Sequence, residues 1–307
     1  MLLANEIVYK VAGTITAALA IEASIPKKPT TVSYRDKLKD LELSKFILSS
    51  TVLTPIYSEL IFNALRGKKS CLSRYILNAV KSIITSRLIS TNTSFGFIIL
   101  TIPLTYSVGL TLGSLNKVKV NRETDIAYAI INFYRNLTKD MLMKEDLTYL
   151  CRAFKVVSPS YLSKVLGNIP DIEKCDQVSR YTIGDLLNSS RYLDIIMYEL
   201  YHDYPLTIMT YEMLRGLNSI NDTALLKVFM SLSTKLNDSI ILKQRGYSYA
   251  ILTKFSMKFF SNGLISPQYL NWFRRKGINL GSISDVLACA LALHMSCKEI
   301  YYFITTN

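Results

Sequence analysis

An all-α fold is what this sequence predicts, and three observations predict it. Apolar residues recur at helical spacing: Ile7, Val8, Val11, Ile15 and Leu19 fall on one stripe, as do Phe46, Leu53, Ile56, Leu60 and Ala64. Gly and Pro are scarce, 12 and 8 in 307 residues, too few for the many turns of a sandwich or barrel. Half of the residues are hydrophobic and 19% are charged, enough apolar material for a sizeable core. The expected architecture is a single multi-helix domain spanning residues 1–307 with a central cleft. The polar stretch 167–181, with Pro170, is its best candidate linker or surface loop.

Each element follows from the same periodicity. Beyond the two stripes, helices are readable over Ser73–Ile89, Asp125–Tyr134, Glu145–Val157, Arg191–Tyr201 and Leu206–Arg215. Further helices cover Thr223–Leu232, Ser248–Phe260, Pro267–Arg274 and Ser282–Phe303. Gly67 and Gly216 follow apolar runs, and Ser266–Pro267 reads as a cap followed by a first-turn proline. Two segments imitate membrane elements. Met1–Ile25 is interrupted by Glu6, Lys10 and Glu22 and lacks the marks of a signal peptide. Phe97–Leu112 is uncharged but contains Pro103 and Gly109, and falls short of the roughly 20 residues that span a bilayer. It reads as a buried core helix.

Charge and cysteine usage narrow the function classes. Lys+Arg is 36 against 23 Asp+Glu, a net charge of +13, which reads first as a solvated basic surface and, more sharply, as a pocket for phosphates. The basic residues are dispersed, as at Lys27–Lys28, Lys68–Lys69 and Arg274–Lys276, and no run has the length of a nucleic-acid tail. Neither nucleic acid nor a membrane is expected as a partner. The five cysteines, at 71, 151, 175, 289 and 297, form no CxxC pair, and there are only two histidines, His202 and His294. A structural zinc site and a disulfide framework are not expected, and reduced thiols in a cytoplasmic protein are.

Four polar segments interrupt the apolar pattern, and function concentrates in such places. Residues 25–40, IPKKPTTVSYRDKLKD, join lysines, hydroxyls and the carboxylates of Asp36 and Asp40. Residues 91–96, TNTSFG, open the uncharged helix, where free N–H groups suit either an anion or an ordinary cap. Residues 237–246, NDSIILKQRG, place Asp238 before an apolar turn and Lys243 and Arg245 after it. Residues 277–285, GINLGSISD, feed the last apolar helix. By composition the first reads sooner as a solvated loop and the second as an ordinary N-cap, while the other two read equally as a site or as a cap.

In order along the chain, these segments resemble the triphosphoribosyl-dephospho-CoA synthase family in its shorter archaeal form. KPTTV at Lys28–Val32 resembles the family's KPGNV element, and KFILSS at Lys45–Ser50 its following helix start. NTSFG at Asn92–Gly96, with Pro103–Leu104, resembles its NT-x-x-G element and PL pair. AFKVVSPSYLSKV at Ala153–Val165 is similar to a stretch with NPGGLGK. YTIGD at Tyr181–Asp185 and Asp203 sit where the family has YDVRD and a helical Asp. NDSIILKQRG resembles DTLIxRKxG, and NLGSISDVLACALAL at Asn279–Leu293 resembles NPGTxADLxAAAL. The departures are Thr30 and Thr31 for Gly and Asn, Ser160, Tyr161 and Ser163 for glycine-rich positions, Lys243 and Gln244 for Arg and Lys, and Leu280 for Pro.

The resemblance implies an all-α protein that transfers a triphosphoribosyl group from ATP to a ribose hydroxyl of dephospho-CoA or a related nucleotide, releasing adenine. It implies Asp238 as the carboxylate orienting the attacking hydroxyl, and Asp36 and Asp40 as partners of Mg²⁺. Lys28, Lys243 and Arg245 would face phosphates. Asn92, Thr93 and Gly96, with Asn279, Gly281, Ser282 and Asp285, would line the ribose and phosphates. The lost glycines leave an alternative open, a catalytically degenerate relative acting as a nucleotide-binding or protein-interaction scaffold.

Overall fold

The uncharged stretch around Pro103 forms the centre of the structure, a computed structural model that describes residues 2–34, 36–115, 120–158, 175, 178–217 and 219–306. In chain order the helices are α1 (Leu2–Ser24), α2 (Leu43–Leu65), α3 (Leu72–Ile84), α4 (Phe95–Gly113) and α5 (Glu123–Phe133). A π-helical segment, Tyr134–Thr138, joins α5 to α6 (Lys139–Met143). Then come α7 (Thr148–Val157), α8 (Ile183–Ser190), α9 (Ile195–Tyr201), α10 (Pro205–Arg215) and α11 (Asp222–Lys235). The last are α12 (Ser239–Arg245), α13 (Tyr247–Ser261), α14 (Pro267–Arg275) and α15 (Gly281–Thr306). Among the described residues there is no strand, only the isolated bridges Leu38–Leu41 and Asp146–Thr182.

Helix α4 is apolar all round because it is covered all round. It packs against α2, α3, α5 and α15, while α1 lies against both α2 and α15 and so ties the start of the described chain to its end. Helices α1 and α4 are long and apolar enough to cross a membrane, but 89% of the α4 window is buried inside the protein, which makes it core. Gly109 permits its close approach to α2: a Cβ there would stand 2.6 Å from Ala64 Cβ and 2.8 Å from the Ile61 carbonyl oxygen. The hydroxyls that α4 buries are paired across helices, Thr101 with Tyr57 at 2.6 Å and Ser107 with Thr138 at 2.8 Å, as buried polar groups require.

Two sequence expectations need correction. The run over residues 145–157 begins as a helix only at Thr148. Glu145 turns away to cap α3 instead, accepting from Leu72 N at 2.6 Å and Ser73 N at 2.7 Å. Cys151 on α7 is disulfide-bonded to Cys175, against the expectation of five reduced thiols. The partners are 24 residues apart and no local spacing marks them. The cytoplasmic expectation loses the support it drew from the thiols. Arg35, Ser160, Tyr161, Ser163 and most of the 167–181 stretch lie outside the described residues.

Candidate functional site

The starts of three helices and one loop meet at a cleft. The loop after α1 contributes Thr31 and Val32, and α1 itself contributes Leu19 and Glu22. Asn92–Gly96 bring the start of α4, Asp194 the start of α9, and Asn279, Gly281, Ser282, Ser284 and Asp285 the start of α15. Lys243 and Gln244 reach in from α12. Helix N-termini carry partial positive charge, and at all three, side chains already accept some of the first N–H groups: Asn92 and Asp285 at α4, Asp194 at α9 and Asp238 at α15.

Asp285 is the carboxylate on which these elements close. It receives the N–H of Phe97, in the first turn of α4. Gly96 makes that approach feasible: a Cβ there would lie 2.1 Å from Asp285 Oδ2. Asn92 completes the turn by accepting Phe95 N–H at 3.2 Å, and Thr93 is hydrogen-bonded to Ser49 of α2 at 2.7 Å. Burial pushes the Asp285 carboxyl well above the usual carboxylate range, and the neighbouring Glu22, Asp238 and Asp194 carboxylates push it further.

Two lysines offset part of this negative charge. Lys28, wholly buried, donates to Glu22 Oε1 at 2.5 Å. Burial lowers its pKa, against the pull of Glu22 and Asp285. It lies behind Glu22, which itself lines the cleft. Lys243 pairs with Asp194, whose other oxygen caps α9 through Ile196 N at 2.8 Å.

Other residues singled out in the sequence lie elsewhere. Asp238 is 1% exposed and is not among the cleft-lining residues. Its Oδ1 accepts from Ile240 N at 2.8 Å and Ile241 N at 3.3 Å, capping α12. Its Oδ2 accepts from Ile283 N at 3.1 Å, and Ser282 N also donates, so the same side chain caps α15. Burial nevertheless pushes its carboxyl up to about 7. The structure does not bring Asp238, expected to orient a substrate hydroxyl, to the cleft wall: both its oxygens are engaged by helix N–H groups. Asp36 accepts from Ser33 Oγ at 2.6 Å and pairs with Arg274 Nη1 at 2.9 Å, while Asp40 is exposed. Neither lines the cleft. Arg245 is exposed and donates to the Lys276 carbonyl at 2.9 Å. Thr182 and Asp185 form the capping box of α8, and Asp203 pairs with Lys139 at 2.7 Å.

The sequence reading missed Glu22 and Asp194 as cleft residues. Glu22 had a signal: it follows Ile15 and Leu19 at helical spacing, so its charge sits on the buried stripe of α1. Asp194 carried only the pattern of an N-cap.

The residues present fit a magnesium ion brought in by a nucleotide. Among the described residues no three of His, Cys, Asp and Glu gather into a metal site. Mg²⁺ in nucleotide sites takes one or two carboxylates, and phosphates supply further ligands. The crowded Asp285 is a suitable carboxylate, and Asn279 Oδ1 and Ser284 Oγ, both lining the cleft, are buried oxygens without a hydrogen-bond partner.

Fold and cleft together define an all-helical protein with a polar cleft where three helix starts meet. The description ATP:dephospho-CoA triphosphoribosyl transferase matches residues 9–301, and the chain belongs to that family. It is also similar to a crystal structure from Archaeoglobus fulgidus that carries the name of a triphosphoribosyl-dephospho-CoA synthase as an unproven assignment. The two share 18% identity with a TM-score of 0.57, over 82% of this chain and 97% of that one. At that identity the likeness speaks for the fold. No curated protein matches the chain.

Proposed function

We propose that the cleft carries out the family's reaction, transfer of a triphosphoribosyl group from ATP to a ribose hydroxyl of dephospho-CoA or a related nucleotide. A bond forms between the acceptor oxygen and C1′ of the donor ribose, and the bond from C1′ to adenine N9 breaks. The acceptor hydroxyl gives up its proton and adenine leaves on gaining one. Positive charge develops at the sugar, as in other glycosyl transfers. Mg²⁺, when bound with ATP, neutralises phosphate charge.

The supporting observation is the opposed charge within one cleft. Asp285 stands among the Glu22, Asp238 and Asp194 carboxylates, and Lys243 and the helix starts bring positive charge to the same cleft. A magnesium nucleotide satisfies both. Asp285 takes the role first read onto Asp238 and would accept the acceptor's hydroxyl proton; a cation held beside it would favour the ionised carboxylate that this role needs. Asn279 and Ser284 assist in holding Mg²⁺, Lys243 faces phosphate, and Asn92, Thr93, Gly96, Gly281 and Ser282 shape the wall. Lys28 holds Glu22 in place. The same reading takes the chain as one domain, supported by the packing of α1 on α15.

Nothing in fold or family favours the degenerate scaffold. The deciding experiment follows adenine release from ATP with Mg²⁺ and dephospho-CoA, beside calorimetric titration with ATP. Adenine release that depends on dephospho-CoA is expected. No ATP binding, with or without Mg²⁺ and acceptor, would remove the enzyme reading.

A further inference from the structure

Helix α13 is apolar on two opposite faces, and only one of them is covered. Ala250, Thr253 and Met257 are buried. On the other side Leu252, Phe255 and Phe259, one helical stripe by their spacing, are 44%, 49% and 47% exposed. Tyr247 at its start and Leu264 beyond its end are exposed as well, and so are Tyr269 and Trp272 on α14, the next helix in the chain. Isolated exposed apolar side chains are ordinary, but a concentration of them marks an interaction site.

Along the chain around this stripe the charge has one sign, although Lys243 and Arg274 pair with Asp194 and Asp36 from elsewhere in the fold. From Ser239 to Ser284 the sequence carries Lys243, Arg245, Lys254, Lys258 and the Arg274–Arg275–Lys276 run, and no Asp or Glu. By helical geometry Lys254 and Lys258 flank the exposed stripe, between it and the buried face. Lys258, Arg275 and Lys276 are exposed.

We infer that this face docks on an anionic lipid surface. Phenylalanine and leucine enter the boundary between headgroups and acyl chains, tyrosine and tryptophan lie at headgroup level, and flanking lysines stretch to the lipid phosphates. A second copy of the chain is a poor occupant, because it would set two cationic faces against each other. The inference replaces the sequence expectation that no membrane is a partner. It is independent of the cleft chemistry, since α13 contributes no cleft-lining residue.

Flotation of the full chain with two kinds of vesicle tests it: phosphatidylcholine alone, and phosphatidylcholine with one-third phosphatidylglycerol. Binding is expected only to the anionic vesicles and weakens with salt. Lys254→Gln with Lys258→Gln lowers partitioning about 30-fold, and Phe255→Ser with Phe259→Ser about tenfold or more. All four side chains lie outside the core, and unchanged thermal melting confirms that the variants fold. Failure to float with anionic vesicles, or equal flotation of wild type and the phenylalanine variant, overturns the inference. So does retention on immobilised polyglutamate without vesicle binding, which points to an acidic protein. Self-association abolished by the phenylalanine variant, again without vesicle binding, points to a second copy.

Discussion

Asp238 and Asp285 are neighbouring carboxylates near the start of α15, and their surroundings differ. At the junction of α12 and α15, Asp238 receives four backbone N–H groups and does not line the cleft. On the cleft wall, Asp285 receives the Phe97 N–H and faces three other carboxylates. Full satisfaction by backbone donors makes a side chain part of the scaffold. A carboxylate left short of partners in a cleft is a candidate for chemistry. Both have raised pKa values, so the shift alone does not separate the two roles; the donors do.

Asp285→Asn should show the largest effect. Removing a proton acceptor from a transfer reaction lowers turnover on the order of 10²–10⁴-fold. Melting should barely move, because the protonated acid and the amide are close in shape and charge. Single-turnover adenine release and calorimetric melting measure the two. If Asp238→Asn instead abolishes turnover while its melting is unchanged, the roles of the two carboxylates are exchanged.

Gly96→Ala sharpens the same contrast from the other partner. The added methyl needs the space of Asp285 Oδ2, 2.1 Å away, so the carboxylate must shift. A displacement of about 1 Å costs on the order of 10²-fold in rate, and overpacking adds about 1–3 kcal/mol of destabilisation. Turnover that survives alongside a lowered melting temperature would show that the position of Asp285 is not critical.

Asp238→Ala is expected to act on stability. It uncaps α12 and α15 together, at about 2–3 kcal/mol for two caps, and turnover of the folded fraction should change little. The wild type also carries a pH signature here. The folded pKa of Asp238, about 7, lies above its ordinary value of 3.8. Its contribution is therefore fully present below pH 3.8 and is lost as pH rises to about 7. Glu199 acts in the same direction between 4.5 and about 7, also because of burial. Melting across this range should show stability falling towards neutral pH, and Asp238→Asn should flatten the slope. A slope unchanged by that substitution would assign the signature to the other carboxyls that burial raises, Glu199, Asp285 and Glu145.

Helices were legible in the sequence because their cause is local. The periodicity of Phe46 to Ala64 needs no knowledge of what covers it, and the core position of residues 97–112 followed from missing charge together with Pro103 and Gly109. The site was legible only as segments. Asn92–Gly96 and Asn279–Asp285 carry turn and cap chemistry that reads the same with or without a cleft. Which of Asp238 and Asp285 faces inward depends on the angle at which α15 meets α4, a tertiary fact. The Cys151–Cys175 bond and the capping of α3 by Glu145 are long-range pairings that no spacing announces.

The loop at the cleft edge gives the smallest expected effect. Thr30 stands where the resembled motif has glycine, and its backbone has φ 56°. A β-branched residue there is strained by about 1–2 kcal/mol, and its Oγ1 is buried without a hydrogen-bond partner. The conformation is held from outside: Arg274 donates to the Lys28 carbonyl at 3.1 Å and pairs with Asp36 at 2.9 Å. The loop has thus kept a glycine-type backbone while losing the glycine, so the change in sequence does not mean that the cleft lost its shape. Thr30→Gly should relieve the strain, and the greater freedom of glycine in the unfolded chain offsets part of the gain. The net expectation is stabilisation of about 1 kcal/mol, with ATP affinity unchanged. Thr30→Ala should gain less, since alanine keeps the left-handed strain. Chemical denaturation of the three proteins gives the order. Destabilisation by Thr30→Gly would show that the threonine side chain contributes packing worth more than the strain it imposes.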